Sequence, residues 1–238
     1  FIRVPYGDAE AAAEALKQHD DIVAVMLETI QGEGGISVPP EGYLSQLRTL
    51  CDQHEALLIL DEIQSGVCRT GYWYAYQHDN ILPDIVTSAK ALGNGIPIAA
   101  CLARGVAAET FAPGNHGSTY GGNPLACRTA CTVLDIMERD GINQATQERG
   151  AWMQAAFSQA LADIPGVVSI RGRGLMLGIE LDRPATAIRQ LALDEGILLN
   201  VTANNVIRML PPLIIDQQQA QMIVDGVVKA IRKFYSEA

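Results

Sequence analysis

Two groups in this sequence stand where a buried strand gives way to a loop, and together they have the makings of a reactive centre. Ala56-Leu57-Leu58-Ile59-Leu60 is an unbroken apolar run, the pattern of a strand covered on both faces, and it stops at Asp61-Glu62-Ile63-Gln64-Ser65-Gly66. About one strand and loop later, Asp84-Ile85-Val86-Thr87-Ser88-Ala89 leads into Lys90 and then Ala91-Leu92-Gly93-Asn94-Gly95-Ile96-Pro97. A lysine between an apolar strand and a glycine-rich turn is expected to be held rather than free in solvent. In open parallel α/β sheets ligands bind beyond the carboxyl ends of the strands, so an acid and a lysine ending neighbouring strands face one crevice. Taken singly, Asp61 and Glu62 also read as loop caps and Lys90 as a solvated loop lysine.

Three further stretches carry chemical groups. Gln31-Gly32-Glu33-Gly34-Gly35 is rich in glycine, as a backbone that turns tightly or approaches a neighbour closely requires. It makes a poor phosphate loop, because it lacks the Walker lysine and Glu33 repels phosphate. Gly117-Ser118-Thr119-Tyr120-Gly121-Gly122-Asn123-Pro124 sets two hydroxyls among glycines. It also reads as a turn before a helix that Asn123 caps and Pro124 begins, and the two readings are compatible. Arg208 stands alone in the apolar run Val206 to Leu210, where a guanidinium wants an anionic partner, either a structural acid or a bound ligand.

The elements that position these groups alternate between helix and strand. A helical mix from Asp8 to His19 precedes a strand over Ile22 to Leu27 that ends in Glu28. Pro39 and Pro40 precede a helix from about Glu41 to His54, with Tyr43, Leu44, Leu47 and Leu50 as its apolar face. Tyr72, Trp73, Tyr74 and Tyr76 form an aromatic cluster that suits either a pocket wall or a subunit interface. Ile98 to Ala103 supplies another strand, and helices follow from Pro124 to about Asp140 and from about Gln144 to Asp163. Two strands, Val167 to Gly174 and Leu175 to Leu181, then a helix, further strands and a closing helix from Asp216 make a small α+β domain. The expected division is residues 1–138 and 139–238. Gly172-Arg173-Gly174 leads into a strand rather than a helix, which removes the mechanism of a dinucleotide fingerprint.

Composition narrows the partners. With 238 residues, 48% of them hydrophobic, the chain has ample material for a core. A net charge of −10, with no run of Lys or Arg, argues against nucleic acid and anionic membrane surfaces. No stretch approaches about 18 consecutive apolar residues, and the N-terminus lacks a signal-peptide pattern, so a cytoplasmic location is expected. Five scattered cysteines, Cys51, Cys68, Cys101, Cys127 and Cys131, are expected to be buried thiols rather than metal ligands.

The segments Leu60 to Gly66, Thr87 to Gly93 and Gly117 to Pro124, with Glu28 to Gly35 upstream and Asn205 to Leu213 downstream, resemble the class III aminotransferases in order and spacing. Within that class the chain is most similar to the acetylornithine and succinylornithine group. The resemblance implies a pyridoxal-phosphate (PLP) transferase of fold type I: part of a mostly parallel large-domain sheet with helices, plus a smaller C-terminal α+β domain. Pyridoxal phosphate is an electron sink that needs an amine, a carboxylate at its ring nitrogen, phosphate donors and cationic groups for substrate carboxylates. By resemblance, Lys90 is the imine lysine and proton carrier, and Asp61 the partner of the ring nitrogen. Gln64 bonds the ring's phenolic oxygen, and Thr119, with Ser118, reaches the phosphate in a neighbouring subunit, which implies a homodimer.

The resemblance further implies that Arg208 grips a carboxylate of 2-oxoglutarate or glutamate, with Glu33 pairing to it as a switch. Glu28 also matches the family but has no assigned chemical role. The implied activity moves the amino group of N-acetylornithine, or a similar ω-amino donor, to 2-oxoglutarate in arginine biosynthesis. The match covers roughly the C-terminal three-fifths of such an enzyme. The N-terminal phosphate cup and ring-stacking aromatic are therefore expected to be missing, which bears on activity of the chain alone. Competing readings are another class III aminotransferase, using ornithine, succinylornithine or 4-aminobutyrate, and a non-catalytic subunit of the same fold.

Overall fold

The computed structural model describes residues 1–236, which fall into two compact units. The first comprises Phe1–Thr29, Pro39–Val67 and Tyr72–Asp140, and the second comprises Ile30–Val38, Cys68–Gly71 and the chain from Gly141 onward.

In the first unit, α1 (Ala9–Gln18) is capped by the Asp8 carboxylate, which accepts from the Ala11 amide at 2.9 Å. Strands β1 (Ala24–Glu28), β2 (Leu57–Asp61), β3 (Ile85–Ser88) and β4 (Ala100–Ala103) make one sheet in that order, with β1, β2 and β3 parallel and β4 antiparallel to β3. Leu58 and Leu60 of β2 pack with Leu44, Leu47 and Cys51 of α2 (Tyr43–Gln53) and with Ala12 and Leu16 of α1. The two prolines do not begin α2. Gly42 takes the N-cap with φ 78°, a left-handed conformation that suits glycine, so the helix starts two residues later than the prolines lead one to expect. Strand β4 is shorter than the sequence predicts, and all four of its residues are exposed.

Asp84 locks β2 to β3. Its carboxylate accepts from the Leu58 amide at 2.8 Å and from Arg48 at 2.6 Å, with Arg104 3.4 Å away. Burial raises its pKa, but the Leu58 amide and the two guanidinium groups outweigh that and hold it below the usual carboxylate range. A depressed acid stabilises the fold above its ordinary pKa and loses that contribution as pH falls through the folded value. Asp84→Ala is expected to lower stability by about 2–3 kcal/mol near neutral pH. Denaturant unfolding of both proteins should show the difference narrowing below about pH 4; a difference that is constant with pH would refute the ionic account.

Past β4 come the short helix α3 (Val106–Glu109) and α4 (Pro124–Arg139). Asn123 caps α4 by accepting from the Ala126 amide at 3.1 Å, and Pro124 occupies its first turn, as the sequence predicts. The cysteines depart from expectation: Cys51 and Cys68 are buried, and burial pushes both thiols up to about 11, but Cys101, Cys127 and Cys131 are exposed. Cys101 lies on the exposed β4, while α4 buries Ala126, Ala130 and Val133 and turns its two cysteines off that face.

The second unit is an antiparallel sheet flanked by helices. Its strands β5 (Val167–Arg173), β6 (Met176–Leu181), β7 (Asn200–Thr202) and β8 (Val206–Met209) lie in the order β5-β6-β8-β7. Met153 and Phe157 of α5 (Ile142–Ala160), Ile188 of α6 (Ile188–Asp194) and Val227 and Ile231 of α7 (Gln217–Ser236) are buried, as are Leu177, Ile179 and Leu181 of β6. Asp216 starts α7 reciprocally, accepting from the Gln219 amide while the Gln219 side chain accepts from the Asp216 amide.

Candidate active site

Strands β1, β2 and β3 end side by side. Glu28 stands opposite Asp61 and Asp61 opposite Thr87, so the carboxyl ends of the parallel strands gather an acid from β2 and the chain leading to Lys90 from β3. Lys90 opens a 3-10 turn, Lys90–Leu92, with φ 45°. A left-handed lysine is uncommon, and such strain clusters at functional sites. The expectation that this lysine is held is met only by its backbone, whose carbonyl accepts from the Gly93 amide at 3.1 Å; the residue itself is exposed. Just before it, the buried hydroxyls of Thr87 and Ser88 find no hydrogen-bond partner among the described residues.

The turn after β2 is tightly built. Asp61 accepts from the Ile63 amide at 2.9 Å, and the Glu62 amide donates to the Thr87 carbonyl at 3.0 Å. Gln64 is half-buried in this turn. Glu62 has no exposed surface, and its neighbourhood includes the segment carrying Tyr74 and Tyr76, whose rings stack 5.9 Å apart. Ser118 and Thr119 lie on an exposed loop, where Ser118 Oγ accepts from the Gly121 amide at 2.9 Å.

In the second unit Arg208 and Glu33 meet. Arg208 sits on β8 opposite Gly178 of β6 and Asn200 of β7, and its guanidinium donates to Glu33 at 2.5 Å. The loop bearing Glu33 is bound to the sheet at several points. Thr202 Oγ1 donates to the Glu33 carbonyl, and Arg171 donates to the carbonyls of Gly35 and Ile36 at 2.8 and 2.9 Å. Gly178 has no Cβ, and one placed there would lie 2.9 Å from Ile36, so this glycine lets the loop lie against the sheet.

Arg69 is a residue that sequence reasoning passed over. Its guanidinium donates to the carbonyls of Leu175 and Pro211 at 3.1 and 2.6 Å, and burial lowers its pKa to about 10. It thereby fixes the chain three residues beyond Arg208. Its contacts span 106 and 142 positions, so no local pattern announces them; the only signal was an arginine among Gly66-Val67-Cys68 and Thr70-Gly71.

The fold is that of the PLP-dependent aminotransferases. A family model described as "Aminotransferase class-III" matches residues 6–231, and the chain belongs to that family. Among curated proteins it is similar to the acetylornithine aminotransferase of Nitrosomonas europaea, at 48% identity over 98% of this chain and 60% of that protein. It is also similar to acetylornithine aminotransferase 1 of Bordetella bronchiseptica, at 46% identity over 100% and 60%. Among solved structures, the acetylornithine aminotransferase from Elizabethkingia anophelis superposes with TM-score 0.93 at 36% identity, over 98% of this chain and 60% of that one. The ornithine aminotransferase from Toxoplasma gondii ME49 gives 0.95 at 35%, over 99% and 57%. The chain thus spans about 60% of the length of the first of these curated relatives. Among the described residues, no helix is long and apolar enough to cross a membrane.

Proposed function

We propose that the chain is an acetylornithine aminotransferase, or the larger part of one, moving the terminal amine of N-acetylornithine to 2-oxoglutarate in arginine biosynthesis. The observation that carries this reading is Lys90, held in a left-handed backbone at the end of β3 beside the strand that ends in Asp61, in a chain of this family. The first unit is then the cofactor domain and the second the small domain. In this reading the enzyme is a cytoplasmic homodimer, with Ser118 and Thr119 serving the neighbouring subunit's phosphate.

The residues present fit pyridoxal phosphate. A primary amine, a carboxylate and two buried hydroxyls without partners at one sheet end form a donor set with unmet capacity for a charged, polar ring. Lys90, Asp61 and Gln64 would hold the ring, with Ser118 and Thr119 at a phosphate. When bound, the cofactor supplies the electron sink that acidifies the carbon bearing the substrate amine. Lys90 Nζ carries the proton from that carbon, acting as general base and then acid. The Asp61 carboxylate would serve the ring nitrogen, where a negative charge favours the protonated form. Arg208 orients the dicarboxylate, its planar fork matching a carboxylate bidentately.

The test is a panel of amino donors with 2-oxoglutarate: N-acetylornithine, ornithine, N-succinylornithine and 4-aminobutyrate. N-acetylornithine is expected to give the highest kcat/KM by at least about tenfold. The structural likeness to ornithine aminotransferases supports a second reading, and a preference for free ornithine would replace the first with it.

A further inference from the structure

Glu62 is a fully buried carboxylate that stands in sequence between Asp61 and Gln64 of the proposed cofactor site, and that site's chemistry leaves it unused. It accepts from Ser65 Oγ at 2.6 Å and from the backbone amides of Ala75 and Tyr76 at 3.0 and 2.9 Å. These three donors are neutral, so the group is held without a counter-charge from them, an arrangement that costs more than an apolar filler would. What it gains is convergence. Ser65 Oγ lies 2.9 Å from Thr29 Oγ1, just past β1, and the Glu62 amide bonds the Thr87 carbonyl in β3, three residues before Lys90. The Gly66 amide closes the turn on the Glu62 carbonyl at 2.9 Å. The ends of β1, β2 and β3 and the Tyr74–Tyr76 segment therefore meet at one residue.

We propose that Glu62 is a positioning residue for Asp61 and Gln64: its buried carboxylate fixes the turn from which both are presented to the cofactor. The inference rests on the assignment of Lys90, Asp61 and Gln64 to a pyridoxal-phosphate site. An acceptor-only group is required, because an amide in its place would turn an N–H toward a backbone N–H. Glu62→Gln keeps the volume and removes that match.

The experiment titrates the 238-residue chain with pyridoxal phosphate and follows the visible absorption band that Lys90→Ala removes, alongside the melting temperature of the cofactor-free protein. Glu62→Gln is expected to weaken cofactor affinity by about tenfold and to change the position or intensity of the band, the scale of one charge-assisted hydrogen bond. Leu47→Ala, a core substitution in the same unit, is expected to lower the melting temperature without changing the spectrum. Should Glu62→Gln fail to fold, Ser65→Ala removes a single donor and is expected to give a smaller change of the same kind. Wild-type affinity and spectrum in the variant that folds would overturn the proposal, as would a loss no larger than that of Leu47→Ala. If the wild-type chain shows no Lys90-dependent band, these residues do not form a cofactor site in this chain alone, and the inference fails for it.

Discussion

Lys90→Ala is expected to remove the visible absorption band that forms with pyridoxal phosphate and to lower transamination by about 10³-fold or more. The estimate comes from general acid–base catalysis alone, which contributes about 10²–10⁴-fold, with loss of the covalent attachment added to it. The position allows few substitutes. Lys90 lies two residues past β3, and the strand ends beside it supply acids rather than a second amine. A small primary amine added to the variant should restore part of the rate, because the proton carrier is what has been deleted. Retention of activity within about threefold of wild type would mean that Lys90 is not the reacting amine.

The second large effect is at Arg208. Arg208→Met is expected to raise KM for 2-oxoglutarate by roughly 10- to 100-fold, the range of one charged hydrogen-bond partner, with much less change in KM for the amino donor. The two members of its ion pair are unequally placed: the Arg208 side chain is 10% exposed and that of Glu33 is 75% exposed. The arginine is therefore the fixed member and the acid the movable one. The Glu33 carboxylate returns to water when displaced, so an incoming carboxylate that bonds the fork bidentately can take its place on the largely buried guanidinium. Glu33→Gln should accordingly leave the dicarboxylate half-reaction intact and weaken the half-reaction with the ω-amino donor. Equal effects of Arg208→Met on both substrates would reduce the pair to a structural contact.

The strand ends that bear Asp61 and Lys90 were legible because an apolar run that stops at a charged residue is a local signal, visible at both Leu60-Asp61 and Ala89-Lys90. Lys90's left-handed backbone was not legible, since lysine carries no preference for it and the surrounding turn imposes it. The start of α2 lies later than the prolines suggest because Gly42, not a proline, takes the turn into the helix. Cys51 and Cys68 are buried as expected, whereas Cys127 and Cys131 are not, because apolar neighbours in sequence are not neighbours in space: on α4 both lie off the buried face. The pairing of Arg208 with Glu33 spans 175 positions, and only the family resemblance anticipated it. Arg69, whose partners are backbone carbonyls, offered not even that.

The way the second unit is assembled from chain segments bears on how such a protein can be divided. Nine residues, Ile30–Val38, and four more, Cys68–Gly71, belong to it although they are encoded within the first. A break at residue 140 would separate Arg208 from Glu33, strip Ile36 from the cluster it forms with Met176, and leave the Leu175 and Pro211 carbonyls without Arg69. Buried acceptors left unmatched in this way cost about 1–3 kcal/mol each. The compact units are thus not heritable modules: recombination or proteolysis at residue 140 yields a C-terminal piece that carries Arg208 without the residues that hold it.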